Sequence, residues 1–98
     1  METKRDFKIE LLKSVIDEMQ TFYAIKEGVT GILRFSTLEI ILHSLTQYTP
    51  ETVIEKGLIE RIVLEIQRAM RVTDEKQYLS VRIAHIQAEK LLSALVDN

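Results

Sequence analysis

Residues 35–50 read FSTLEIILHSLTQYTP, and Glu39 is the one acidic or basic residue among them apart from His43. Apolar side chains recur in this stretch at spacings of three and four, which is the pattern of a helix that buries one face. They are Leu38, Ile41, Leu42, Leu45 and Tyr48. The stretch therefore predicts a short central helix that neighbouring helices must cover.

The ends of this central helix are predicted from local signals. Ser36 and Glu39 have the spacing of a capping box, in which each side chain bonds the backbone N–H of the other residue. Phe35 and Ile40 are placed for a hydrophobic staple across the same turn. Thr49-Pro50 suits the cap and first position of a following helix, because proline has no N–H to lose there. These signals predict a very short turn between the two helices.

Length and composition limit the class of protein. A length of 98 residues favours one domain. A net charge of −2 gives no general attraction for nucleic acid or anionic membranes. The chain contains no cysteine, which excludes disulfides and thiolate chemistry. No signal peptide is visible, and the uncharged run 40–50 is far shorter than the roughly 20 residues that span a bilayer. We expect a cytoplasmic protein.

Three longer helices complete the predicted fold. The first runs from about Thr3 to Glu27, with Gly28 as its C-cap, and Val29–Arg34 form a connector. The third runs from Pro50 to Arg71 and the fourth from Glu75 to Val96. All have broad apolar faces, and Gly57 in the third is expected to allow a close approach of another helix. The sequence predicts an all-α, four-helix bundle that forms a helical homodimer.

The fourth predicted helix carries apolar residues on two sides. Its main stripe consists of Val81, Ala84, Ala88, Leu91, Leu92 and Leu95. A second stripe, Leu79, Ile83 and Ile86, lies on nearly the opposite side and predicts contact with a protein partner or a second copy. Ile9, Ile25 and Val53 lie off or at the edge of the core stripes of their own helices, so they are further candidate contacts.

Candidates for chemistry are few. Glu39 and His43 are four residues apart, as are His85 and Glu89, so each pair can share a helix face. This spacing is neither the Glu-x-x-His of di-iron bundles nor the His-Glu-x-x-His of zinc proteases. There is also no phosphate-binding glycine loop and no nucleophile motif. We therefore expect no enzyme activity, no metal and no cofactor.

Three arginines on the third helix form a rough stripe that is a candidate contact for an anionic partner: Arg61, Arg68 and Arg71. Acidic residues are interleaved with them, which favours a solvent-exposed face of mixed charge. A helix-turn-helix reading places Glu51 and Glu55 at the start of the recognition helix, where carboxylates repel phosphates. Nucleic-acid binding is thus an alternative that the sequence does not favour.

The C-terminal half of the chain resembles a known group of proteins. The features are Thr52-Val-Ile-Glu-Lys-Gly-Leu-Ile59, a helix ending near Met70, a break, and a last helix opening with Lys76-Gln-Tyr-Leu79. Together they are similar to the small enterobacterial biofilm and acid-resistance regulators of the AriR type, also called two-component-system connector proteins. The resemblance implies a helical dimer that acts through protein contacts on signalling or transcription machinery. It implies no catalytic residue.

These observations favour a small, non-enzymatic regulatory or adaptor protein that acts by protein–protein interaction through apolar helix surfaces. Two alternatives stay open. One is a helical immunity or inhibitor protein that binds a toxin or receptor, like the four-helix bacteriocin immunity proteins of similar length. The other is a nucleic-acid-binding transcriptional regulator that uses the arginine stripe.

Overall fold

A computed structural model describes residues 3–25, 31–72 and 75–97, apart from the side chains of residues 31 and 32. It contains four helices: α1 (Lys4–Ala24), α2 (Gly31–Leu45), α3 (Val53–Ala69) and α4 (Glu75–Asp97). The described residues contain no β-strand. The bundle measures 43 × 25 × 20 Å. The predicted all-α, four-helix fold is confirmed.

Each helix packs beside two others. α1 contacts α2 and α4, and α3 contacts the same two helices. The Arg5 side chain donates to the backbone carbonyls of Leu95 and Val96, so the start of α1 lies beside the end of α4. The helices therefore run alternately up and down around one continuous core.

α1 begins with a complete capping box. The Thr3 hydroxyl accepts from the Asp6 backbone N–H at 3.1 Å, and the Asp6 carboxylate accepts from the Thr3 N–H at 3.3 Å. The helix ends at Ala24, three residues before the predicted end. The predicted C-cap, Gly28, lies outside the described residues.

α2 begins earlier than its local signals predict. It starts at Gly31, so Ser36 lies inside the helix and the predicted connector and capping box are wrong. The early turns are held by tertiary contacts, since Arg34 donates to the Tyr78 hydroxyl of α4 at 2.7 Å. Phe35 and Ile40 also lie inside α2, and Ile40 is 50% exposed, so the predicted hydrophobic staple at the start of this helix is wrong as well. The central apolar stripe is confirmed, with four members buried and Leu42 partly buried.

α3 begins three residues later than predicted. Its N-cap is Thr52, whose hydroxyl accepts from the Glu55 N–H at 3.1 Å. The Thr49-Pro50 start is wrong, because residues 46–52 form a longer connection that buries Tyr48. A Cβ atom added at Gly57 would meet nothing within 4 Å, so the expected close approach of another helix is also wrong.

α4 runs almost as predicted, and its main stripe is confirmed. Four residues of the stripe are buried and two are partly buried. The buried residues Ser80, Ala84 and Ala88 recur every four positions, and their small side chains let a neighbouring helix approach closely. α3 and α4 accordingly form the most extensive helix–helix contact in the described structure.

Candidate functional site

The outer face of α4 carries the second apolar stripe. Leu79 is 60% exposed and Ile86 is 48% exposed, whereas Ile83 between them is partly buried. Leu79 and Ile86 are seven residues apart, so they lie within about 20° of each other on the helix. We call Leu79, Ile83 and Ile86 the α4 outer face.

Aromatic contacts between α4 and α1 fix how α4 is rotated about its own axis. The His85 ring stacks on Tyr23 of α1 at 5.7 Å, and the Tyr78 ring lies 5.3 Å from that of Phe22. Ile83 is two residues from His85, which places it about 160° away around the helix. Because the neighbours of α4 are α1 and α3, the α4 outer face lies on the α3 side and toward solvent.

The other predicted contact residues are not gathered at this face. Val53 is 89% exposed, but it lies in the first turn of α3, at the end of the bundle away from Leu79. Ile9 and Ile25 are partly buried at opposite ends of α1. They therefore do not form one surface with the α4 outer face.

Two of the three arginines neutralise a buried carboxylate. Glu65 is completely buried, and its Oε1 lies 3.0 Å from Nη1 of Arg68 and 3.5 Å from Nε of Arg61. Its Oε2 has no hydrogen-bond partner among the described residues. Arg71 is exposed. Arg61 and Arg68 thus have a structural partner within α3, which the sequence pattern did not reveal.

The two histidines have different surroundings. The Nδ1 atom of His85 lies 3.2 Å from the Tyr23 hydroxyl, and its Nε2 lies 2.7 Å from Oε1 of Glu89, although this second contact lacks hydrogen-bond geometry. His43 is exposed and lines a shallow depression together with Glu39. The described residues hold no group of three or more side chains suited to a metal ion.

A charged cluster that the sequence analysis missed lies between α1 and the start of α3. Nζ of Lys8 is 2.8 Å from Oε1 of Glu55 and 2.5 Å from Oε1 of Glu51. The Tyr48 hydroxyl donates to the same Glu55 oxygen at 2.6 Å. Lys8, Tyr48 and Glu55 are all buried, whereas Glu51 is half exposed. We call these four residues the Lys8 cluster.

The Lys8 cluster holds its members in defined charge states. Burial alone would lower the pKa of Lys8, but hydrogen bonds to Glu51 and Glu55 raise it above its usual range. Burial alone would raise the pKa of Glu55, but hydrogen bonds from Lys8 and Tyr48 lower it to about 2. Burial and the hydrogen bond to Glu55 raise the pKa of Tyr48. At neutral pH Lys8 is therefore an ammonium, Glu55 a carboxylate and Tyr48 a neutral phenol.

The low pKa of Glu55 predicts a loss of stability in acid. Its pKa is about 2 in the folded protein and near 4.5 in the unfolded chain. The stabilisation is therefore present above pH 4.5 and is lost as the pH falls toward 2. We expect Glu55 to account for a loss on the order of 2 kcal/mol over this range, measured by urea unfolding. In a Glu55→Gln variant the free energy of unfolding should fall less steeply as the pH is lowered through this range. An equal pH dependence of the free energy of unfolding in the two proteins would contradict the assignment.

A signal for the missed residues was present in the sequence. Lys8 lies four residues before Leu12 and seven before Val15, so it belongs to the buried stripe of α1. Glu55 stands in the same relation to Ile59 and Ile62 in α3. A charged residue in step with an apolar stripe predicts a buried, paired charge, because an unpaired one is too costly to bury.

The cluster also bears on the helix-turn-helix alternative. Glu55 in the first turn of α3 and Glu51 just before it both bond Lys8 of α1. The N-terminal end of α3 is therefore bonded to α1, whereas a recognition helix presents that end to the major groove of DNA. This arrangement does not favour the helix-turn-helix alternative.

Fold and surface together define a small up-and-down four-helix bundle with an exposed apolar stripe on its last helix. No known protein family, curated protein or solved structure matches the chain. None of the described helices is sufficiently long and apolar to cross a membrane.

Proposed function

We propose that this protein is a small, non-enzymatic regulatory or adaptor protein that forms a homodimer and acts through protein–protein contacts. The observation that carries the proposal is the α4 outer face. Leu79 and Ile86 are two large apolar side chains aligned on the side of α4 that faces away from its core, and a partner that covers them removes this apolar surface from water. The partner that this face fits best is a second copy of itself.

Burial of these side chains supplies a driving force for association. A fully buried leucine or isoleucine contributes about 1.5–3 kcal/mol relative to an exposed one. In a two-fold symmetric interface every contact occurs twice, so Leu79 and Ile86 provide four such side chains. Because they are 60% and 48% exposed in the monomer, each can contribute only part of that value. Ile83, which is partly covered within the monomer, adds the remainder of its surface.

The charges beside the α4 outer face support an antiparallel crossing of two α4 helices. Glu75 lies four residues before Leu79, and Lys90 lies four residues after Ile86. If Leu79 packs on Ile86 of the second copy, Glu75 comes opposite Lys90 of that copy, and the symmetry axis repeats the pair. Both residues are exposed and free of ion pairs within the described chain.

Sedimentation equilibrium tests the dimer with a Leu79→Asp/Ile86→Asp variant. We expect the wild type to be a dimer at micromolar concentration and the variant to be a folded monomer, because both substituted side chains are exposed in the monomer. A matched control is Leu33→Asp/Ile40→Asp on α2, where the residues are also seven positions apart and are 49% and 50% exposed. The control should remain a dimer.

The same measurement tests the direction of crossing. Glu75→Lys and Lys90→Glu should each weaken the dimer, and the combined variant should restore it, since each site then again meets the opposite charge. A monomeric wild type at hundreds of micromolar, or a dimer that survives Leu79→Asp/Ile86→Asp, would refute the proposal.

A further inference from the structure

A cavity of about 420 Å³ lies at the end of the bundle where α1 begins. The first turns of α1 form one wall through Lys4, Phe7 and Lys8, and the connection between α2 and α3 forms the other through Gln47, Thr49 and Glu51. The volume falls in the range of about 300–1,000 Å³ that small-molecule sites occupy. The cavity is on a different part of the molecule from the α4 outer face.

The wall of the cavity is rich in hydrogen-bond donors. The residues of the wall that carry donor groups are Lys4, Lys8, Thr3, Thr49 and Gln47. Lys8 bonds Glu51 and Glu55, which uses two of its three N–H donors. In the first turn of α1 the Asp6 N–H is already bonded by the Thr3 hydroxyl, whereas the N–H groups of Lys4 and Arg5 have no partner within the helix. Glu51 is the one carboxylate in this wall.

One lysine in the cavity wall supplies a positive charge that no carboxylate in the described structure offsets. Lys4 is exposed and forms no ion pair in the described structure, so its positive charge is not compensated. The positive end of the α1 dipole lies beside it. Lys8 is balanced by Glu55, which does not line the cavity, whereas Glu51, which also bonds Lys8, places a negative charge on the wall opposite Lys4.

The cavity also offers an apolar contact. Phe7 is 44% exposed although it is an aromatic residue in the first turns of a packed helix. Its ring lies in the cavity wall beside the lysines. A ligand body that packs on this ring removes apolar surface from water, and an aromatic body adds a favourable ring–ring contact.

We propose that this cavity is a binding site for a small organic carboxylate with an aromatic or branched apolar body. The carboxylate lies next to Lys4 and the outer side of Lys8, and the apolar body packs on Phe7. Gln47 and Thr49 close the site from the opposite wall. The bundle would thus bind a small acidic molecule at the end where α1 begins and the connection between α2 and α3 lies.

NMR titration of the full chain with phenylacetate tests the site, in a buffer free of other carboxylates and of phosphate. We expect saturable shifts of backbone amides in residues 3–8 and 47–51, with millimolar affinity for so small a probe. Phenylacetamide, which has the same shape without the charge, should bind at least about tenfold more weakly, because the charge-assisted hydrogen bonds are absent.

Three variants separate the site from a general effect. Lys4→Met should weaken phenylacetate binding about threefold, and Phe7→Ala should weaken it further. Both residues are exposed, so the fold is retained. Lys13→Met is the control, since Lys13 is an exposed lysine of the same helix whose nearest ionic partner is Glu10 at 3.8 Å. It should leave the affinity unchanged.

Three results would overturn the site: no saturable shifts in these two segments, equal binding of the acid and the amide, or equal effects of Lys4→Met and Lys13→Met. The Leu79→Asp/Ile86→Asp variant keeps the two proposals apart. It should bind phenylacetate as the wild type does, because the cavity shares no residue with the α4 outer face.

Discussion

Replacing Lys8 with methionine is expected to lower the free energy of unfolding by about 3–5 kcal/mol. Methionine fills a similar volume but leaves the buried carboxylate of Glu55 without its cation. Glu55 then keeps the hydrogen bond from Tyr48, which is a neutral donor and does not balance the charge. Urea unfolding followed by circular dichroism at pH 7 measures the loss.

Lys13→Met is the matched control for this prediction. Lys13 is exposed and lies 3.8 Å from Glu10 in a surface pair, so its loss should cost less than about 1 kcal/mol. Combining Lys8→Met with Glu55→Leu should cost less than Lys8→Met alone, because no uncompensated charge stays buried. If Lys8→Met is as mild as Lys13→Met, the Lys8 cluster is not a stabilising feature of the fold.

The Lys8 cluster matters because of the helices that it connects. α1 and α3 lie diagonally across the bundle, and their backbones make no close contact in the described chain. Lys8 reaches across to Glu55 and also places its ammonium 5.4 Å from the centre of the Tyr48 ring. An arrangement that buried the same apolar faces but separated Lys8 from Glu55 inside the core would bury unpaired charge, which is costly.

The apolar pattern predicted the fold because helix packing depends mainly on which faces are buried. Leu38, Ile41 and Leu45 are buried as their spacing indicates, and so are Val81 and Ala84 on α4. The second stripe of α4 was also visible, because its exposed members keep the helical period. These features are set by residues close together in the chain.

Helix boundaries depended on contacts that no local pattern contains. Ser36 and Glu39 have the spacing of a cap, yet α2 already begins at Gly31. Arg34, inside the segment taken for a connector, donates to the hydroxyl of Tyr78, which lies forty-four positions later in the sequence. Such a partner is known only once the helices are packed, so a local signal of about 1 kcal/mol can be overridden.

The two proposed binding surfaces differ in whether local sequence predicts them. The α4 outer face follows from one helix and could be predicted. The proposed carboxylate site could not, because Phe7 and Gln47 line one cavity only after α2 has packed against α1 and placed its end beside the start of α1. Arg61 and Arg68 of the predicted arginine stripe lie on α3, whereas Arg71 lies beyond the end of that helix. The burial of Glu65 between Arg61 and Arg68 gives these two arginines a role within the fold.

Replacing Arg61 and Arg68 together with methionine is expected to lower the free energy of unfolding by about 2–4 kcal/mol. Both guanidinium groups are half exposed, so their direct attraction to Glu65 is screened by water. The larger part of the loss comes from Glu65 itself. Its carboxylate stays completely buried, and Oε2 already lacks a partner among the described residues. Thermal and urea unfolding measure the effect.

A cycle with Glu65→Leu identifies the cause of this loss. In the Glu65→Leu background the arginine replacements should lower the free energy of unfolding by less than about 1 kcal/mol. Glu65→Leu alone should be neutral or stabilising, because a well-packed apolar side chain often replaces a buried charge without penalty. Equal costs in both backgrounds would show that the arginines act elsewhere. Arg71→Met, which removes an exposed arginine with no ion pair in the described structure, should leave stability unchanged. Arg71→Met therefore tests for an anionic partner without the change in folding that the Arg61 and Arg68 replacements introduce.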